Sequence, residues 1–291
     1  MLGETPEALV PREVVERQLA KIDPLPLAPH RTYKDGKPRR HMVLPDTQTK
    51  PGAPWDHMVW AGRYAVAKRP DVIVHLGDHW DFPSLSSWDK GKKAAENKRY
   101  WSDVLVGNAA LAAFTAEIRK VKMTEWNPRL VILMGNHENR VERWLEEDPA
   151  MEGTIGYHHL NAGRLGWHVQ PFLHPIEIDG IRYNHFFPRS ASKRVTQTRR
   201  GQPNARVQVQ REMASCTAGH LQGLDVHYEQ VGDTVYRGVI AGSFYQHEEG
   251  YLDGAEGNYH WRGLLMKNEV DGRGGYDLTE VSMDFLRGKY A

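Results

Sequence analysis

Asp71-Val-Ile-Val-His-Leu76-Gly77-Asp78-His79-Trp80-Asp81 and Leu130-Val-Ile-Leu-Met134-Gly135-Asn136-His137-Glu138 decide the fold of this chain. Each opens on a short apolar run rich in β-branched residues, bounded by polar residues and closed by a glycine. Such runs predict buried strands of an α/β sheet. The polar residues behind each glycine then fall just past a strand end, where open α/β folds bind their ligands.

Working outward, residues 42–44 predict a first strand and residues 55–68 a helix stopped by Pro70. A second helix is expected over 102–122, apolar at Val104, Leu105, Leu111, Phe114 and Ile118. Between them, 82–100 is polar and lysine-rich, and it reads as an insertion near the mouth of a site. From Trp167 onward come short strand-like runs, ending in a hairpin-like pair at 263–270 and 276–286. Residues 1–40 are rich in proline and charge, with one amphipathic helix candidate at 11–23 carrying Val14, Val15, Leu19 and Ala20 on one face. The expected organisation is an N-terminal arm, 1–40, packed on a single domain, 41–291.

The 291 residues are enough for a substantial core. A formal charge of +1 excludes steering by net charge, so any attraction to a polyanion must come from local patches. The lone Cys216 excludes an internal disulfide and fits a reducing compartment. No apolar run approaches the roughly 18 residues of a membrane span. The first residues lack the basic and apolar regions of a signal peptide, so the expectation is a cytoplasmic protein without a membrane partner.

A strand ending in Gly-Asp-x-x-Asp-like sequence, followed by one ending in Gly-Asn-His-Glu, resembles the calcineurin-like metallophosphoesterase superfamily. Its motif order is D-x-H, G-D-x-x-D, G-N-H-[DE], a lone His, then G-H-x-H. Asp46-Thr47-Gln48 occupies the first position, with Gln48 where the family has His. His185 closes the strand-like run that begins at Gly180. Gly219-His220-Leu221-Gln222 matches the last motif except that Gln222 replaces its second His, and Val239-Ile-Ala-Gly242-Ser243 resembles the strand and turn that follow. The resemblance implies an α/β fold, a four-layer αββα sandwich of two mixed β-sheets flanked by helices.

It also implies a metal centre. One ion would take Asp78, Asn136, His185 and His220, and all four residue types are present. Asp78 would bridge to a second ion whose remaining ligands are Asp46 and two histidines, here Gln48 and Gln222. A glutamine offers a neutral carbonyl oxygen, a harder and weaker donor than imidazole. Two such replacements shift that site from zinc or iron toward manganese or magnesium and lower its affinity. One or two divalent ions are therefore expected, manganese first, with the second site weak, empty or completed by nearby Asp225 or His227. His75, His79 and His227 read as packing or surface residues.

In the family, a metal-activated hydroxide attacks phosphorus and the histidine beside the asparagine protonates the leaving oxygen. That general acid would be His137, with Asp81 as the carboxylate that fixes its tautomer. The protein-phosphatase branch has phosphate-gripping arginines where this chain has Phe82 and Met134, which argues against a phosphoprotein substrate. Glu138 and Arg140 read as a charge pair opening a helix over 139–147.

Between the two expected histidine ligands, residues 189–211 carry Arg189, Lys193, Arg194, Arg199, Arg200, Arg206 and Arg211 with no acidic residue. Clustered arginines suit polyanions and phosphate forks, with Arg194, Arg199 and Arg200 as the candidate substrate contacts; a solvated loop is the alternative. The first reading is a metal-dependent phosphodiesterase or nuclease acting on DNA, RNA or a nucleotide. A phosphomonoesterase for a small metabolite comes second, and a non-catalytic scaffold third.

Overall fold

The computed structural model describes residues 37–87, 91, 96–189, 194–195, 204–248 and 260–291. The expected arm helix at 11–23 lies outside the described residues.

Three parallel strands form the centre of the first sheet: β1 (Arg39–Leu44), β2 (Val72–His75) and β3 (Arg129–Leu133). Their residues alternate between two different cores. Met42, Leu44, Ile73, Leu130 and Ile132 pack with α1 (Asp56–Lys68) and α2 (Tyr100–Arg119). Val43, Val72, Val74, Val131 and Leu133 pack against a second sheet. Both faces are buried, and so the runs are apolar at nearly every position. The short β4 (His168–Gln170) extends this sheet in parallel, and β12 (Gly263–Val270) and β13 (Asp277–Ser282) complete it in antiparallel, in the order β13-β12-β1-β2-β3-β4.

The second sheet has the order β10-β11-β9-β6-β5, built from β5 (Ile176–Ile178), β6 (Ile181–Asn184), β9 (Ser215–Ala218), β10 (Leu224–Val231) and β11 (Thr234–Ala241). Strands β6, β9 and β11 run parallel to one another, while β5 and β10 turn back as antiparallel edges. Helix α4 (Ala205–Glu212) covers its outer face through Val209, against Cys216 and Ala218. A two-stranded ribbon, β7 (Pro188–Arg189) with β8 (Arg194–Val195), stands apart. The result is the αββα sandwich of two mixed sheets that the resemblance implied.

The C-terminal hairpin needs a correction. The run 276–286 does not continue as one strand: it stops at Ser282, whose hydroxyl accepts the N–H of Phe285 at 3.2 Å. This side-chain cap, with Asp284 in the first turn, starts helix α5 (Met283–Tyr290) instead. Among the described residues, the expected strand at 42–44 and the helices at 55–68, 102–122 and 139–147 have boundaries within three residues of those found. Among the described residues no helix is long and apolar enough to cross a membrane.

Candidate active site

The chain leaves β1, β2 and β3 of one sheet, and β6, β9 and β11 of the other, at the same end of the sandwich. The N–H of Phe244 donates to the Asp46 carbonyl there at 2.7 Å and so joins a loop of the second sheet to one of the first, while within the second sheet the N–H of Gly219 donates to the His185 carbonyl at 3.0 Å. Four of the seven expected metal ligands, Gln48, Asp78, His220 and Gln222, have left-handed backbone, with φ of 39°, 50°, 65° and 58°. Non-glycine residues held this way cost energy and cluster at functional sites. Two glycines make the crowding feasible. A β-carbon on Gly135 would collide with Asp78 Oδ1, and one on Gly219 with Asp46 Oδ1.

One half of the expected centre converges. Asn136 Oδ1 lies 2.8 Å from His185 Nε2 and 2.6 Å from His220 Nδ1, and His185 Nε2 lies 3.4 Å from Asp78 Oδ2. Asp78, His185 and His220 form a group that can hold a metal ion. His185 Nδ1 lies 2.9 Å from the Leu76 carbonyl oxygen, so that nitrogen carries the ring's proton and Nε2 faces the cluster. The electrostatics agree. Burial works against charge on His185, yet Asp78 and Asp46 beside it raise its pKa to about 9. Burial also opposes ionisation of Asp78, but His137 and His185 hold it far below the usual carboxylate range. His220, by contrast, is pushed down to about 3 by burial and by His185, which leaves it a neutral donor. The carboxylates thus require a positive charge at this point. A cation meets that requirement with both rings neutral, and two imidazoles, an amide oxygen and a carboxylate are a fitting donor set for it.

The other half does not converge in the same way. Both Asp46 oxygens accept the backbone N–H of His220 at 3.0 Å, and burial pushes the Asp46 carboxyl up to about 7. Gln222 Oε1 accepts the hydroxyl of Tyr245 at 2.8 Å, and that hydroxyl also lies 3.0 Å from His260 Nε2. Gln48 is buried, its N–H donating to the Asp78 carbonyl at 2.8 Å. Asp225 and His227 do not complete this half. Asp225 accepts the N–H of Ala205 at 2.7 Å, at the start of α4, and His227 faces Glu229 at 2.7 Å on β10.

His137 stands beside the converged half. Its Nδ1 lies 2.5 Å from Asp81 Oδ1, and its Nε2 lies 3.7 Å from Asp78 Oδ2. Burial disfavours charge on this ring, but Asp78 and Asp81 outweigh it and raise the pKa above the ordinary histidine value. Asp81, opposed by burial, is drawn down to about 2 by the bond to His137, with Lys50 Nζ 3.5 Å away on the other side.

Two residues taken as a helix-opening charge pair have other tasks. Glu138 is fully buried. Its Oε2 accepts the N–H of Gly135 at 2.7 Å and of Asp78 at 3.0 Å, and its Oε1 those of His79 at 2.6 Å and Trp80 at 2.9 Å. One carboxylate therefore staples the two motif loops together; burial and the nearby Asp78 push its pKa above the usual carboxylate range, and the amide bonds work against that rise. Arg140 opens α3 (Arg140–Glu147), and its guanidinium reaches back to Asp81, Phe82 and His137. Neither task has a signal in local sequence. His75 and His79 are buried supports as expected, both bonded to Thr47 Oγ1, at 3.1 Å and 2.7 Å.

Of the arginine strip, Arg189 and Arg194 pair across the β7–β8 ribbon, and Arg206 and Arg211 are exposed on α4. Arg199 and Arg200 lie outside the described residues.

No protein-family model matches the chain, and no curated protein matches it. Among solved structures, a conserved uncharacterized protein from Streptococcus pneumoniae TIGR4, titled a predicted phosphoesterase, aligns with a TM-score of 0.33 and 12% identity. That alignment covers 84% of this chain and 90% of the other. A second solved structure aligns with a TM-score of 0.39 and 12% identity, over 84% of this chain and 100% of that one. These are distant likenesses, and the reading of the site stands on its own geometry. In the order of its motifs and in the sandwich whose strand ends carry them, the chain resembles the calcineurin-like metallophosphoesterases.

Proposed function

We propose that the chain is a metal-dependent phosphoester hydrolase, with a phosphodiester of nucleic acid or of a nucleotide as its first substrate class. The observation that carries this reading is the His137–Asp81 pair set directly beside the convergence of Asp78, Asn136, His185 and His220. A divalent cation held by those four residues supplies Lewis acidity and a bound water of lowered pKa. The chain's own residues do the rest. Asp81 holds Nδ1 of His137, which leaves Nε2 as the nitrogen that protonates the leaving oxygen. Glu138 fixes the two loops that carry Asp78 and Asn136, so the donors and the acid keep their spacing. At the second expected site, around Asp46, the amide oxygens of Gln48 and Gln222 in place of imidazoles favour manganese or magnesium over zinc.

The diester preference rests on the seven cationic residues between His185 and His220 in sequence. A panel of metal ions against a nitrophenyl monoester, a bis-nitrophenyl diester, cyclic nucleotides and single- and double-stranded DNA tests it. Turnover should be highest with manganese and on diesters. Neutralising Arg194, Arg199 and Arg200 together should raise KM on an oligonucleotide and leave the nitrophenyl diester unchanged. Equal effects on both substrates would remove the nucleic-acid arm, and turnover confined to monoesters would make the protein a phosphomonoesterase.

A further inference from the structure

Arg140 belongs to none of the metal motifs, yet its guanidinium comes within 3.3 Å of the proton-donating nitrogen. Its Nη1 donates to the carbonyl oxygens of Asp81 at 2.7 Å and Phe82 at 3.2 Å, and lies 3.7 Å from Asp81 Oδ1. These contacts fix the plane of the guanidinium. Nη2 then lies 3.3 Å from His137 Nε2, which is itself 3.7 Å from the expected ligand atom Asp78 Oδ2. Bracing the turn at Phe82, whose φ is 49°, occupies Nη1, and Nη2 donates to His137 Nε2 when that nitrogen carries no proton.

The chemistry of that placement is specific. An arginine only donates. His137 Nδ1 is already engaged by Asp81, so a His137 ready to give a proton presents N–H from Nε2. In that form Nε2 no longer accepts from Arg140, and two donors 3.3 Å apart stand beside the metal-ligand cluster. The group that satisfies both is an anionic oxygen, and phosphoryl oxygens are what a planar, pre-oriented guanidinium grips best. The Arg140 side chain is 13% exposed, so such a bond forms in a medium less polarisable than water. Phe82, at the end of the same loop, supplies no charge of its own.

We propose that Arg140 is a substrate-binding residue of this site, donating from Nη2 to a non-bridging phosphoryl oxygen while His137 Nε2 faces the leaving oxygen. The assignment rests on the phosphoester hydrolase reading above and names a residue of this chain that would hold the ester's phosphoryl group beside His137.

Inorganic phosphate, the simplest ion with the same oxygens, is the probe. It would be titrated by calorimetry into the full chain loaded with manganese, as wild type, Arg140→Ala and Arg140→Lys, with manganese content and Tm recorded for each. Arg140→Ala should weaken phosphate binding at least tenfold with manganese retained. Arg140→Lys, which cannot hold both carbonyls and still reach the anion, should fall in between. Added guanidinium ion should restore phosphate binding to Arg140→Ala in a saturable way, a response that a loosened turn does not produce. Phosphate affinity equal to wild type in a variant that keeps its manganese would overturn the proposal. Should Arg140→Ala lose its metal or unfold, Arg140→Lys decides by the same criterion. If the wild type binds no phosphate and cleaves no ester, the hydrolase reading falls and this assignment with it. If the wild type does both and the variants match it, only Arg140 is reassigned, as a brace.

Discussion

The two halves of the site are built from the same kinds of loops, yet they end in opposite states. Around Asn136 the donors turn toward one another, and two carboxylates hold a buried imidazole at a pKa of about 9. Around Asp46 the donors are already engaged: both carboxylate oxygens accept an amide, and the Gln222 oxygen accepts a hydroxyl. In the first half the donor atoms face one another beside Asp78, whereas in the second Asp46 and Gln222 have hydrogen-bond partners elsewhere in the protein. An amide side chain, unlike a metal-ligating imidazole, can be satisfied by a neutral neighbour, as the Gln222 oxygen is by the Tyr245 hydroxyl.

The largest effects should come from the unsettled half. Asn136→Ala and His220→Ala each remove a donor from the convergence, and both should lose bound manganese and fall to background turnover. Metal content by atomic emission checks this, and a variant that keeps its ion and its rate would mean the cation sits elsewhere. His137→Ala should keep its metal and lose roughly 10²–10⁴-fold in rate, the range of a general acid. The loss should shrink on nitrophenyl esters, whose leaving group needs little protonation. A loss independent of the leaving group would remove the acid role and leave His137 as a spacer between Asp78 and Asp81.

A smaller effect should separate the halves directly. Wild-type protein titrated with manganese should bind one ion firmly and a second weakly or not at all. Gln48→His with Gln222→His should tighten the second ion, since imidazole restores a stronger donor at each position. Two firmly held ions in the wild type would show that the Tyr245 contact with Gln222 yields readily to a cation, and the contrast between the halves would collapse.

How far sequence carries here depends on the range of the interaction. The β2 and β3 runs were legible because both faces of those strands are buried, so every position reports the same environment. The clustering of the polar residues past their ends was legible because parallel strands place such residues at one edge of the sheet. Glu138 and Arg140 were misread for the opposite reason. Acidic and basic residues two apart at a helix start read as a local charge pair, and nothing local says that one carboxylate bonds amides some 60 residues away. The role of Gln222 depends on Tyr245, a partner 23 residues on. The end of the last strand turned on one hydroxyl, Ser282, at a position where strand and helix patterns are both apolar.

The rule drawn from the two halves, that carboxylates call for positive charge and hydroxyls do not, can be tested away from the site. Lys267 on β12 is fully buried between the sheets. Its ammonium is met by Thr217 Oγ1 at 2.5 Å and the Tyr183 hydroxyl at 3.3 Å, and it lies 4.5 Å from the ring centres of Tyr183 and Tyr276. Burial pushes its pKa well below the lysine range. Unfolded, the same side chain titrates at about 10.4. Between the two values the unfolded chain holds one more proton than the folded one. Stability from this group therefore rises with pH through that window and is poorest below it. Each unit of depression corresponds to about 1.4 kcal/mol. Lys267→Met, of similar length and free of charge, should raise stability at pH 7, and its advantage over wild type should shrink as pH approaches 10. Urea unfolding at pH 7, 8.5 and 10 measures this. A variant less stable than wild type by the same amount at every pH would mean that the hydroxyl and ring contacts outweigh the burial of the ammonium, and that neutral groups can hold a charge in this core as well as carboxylates do.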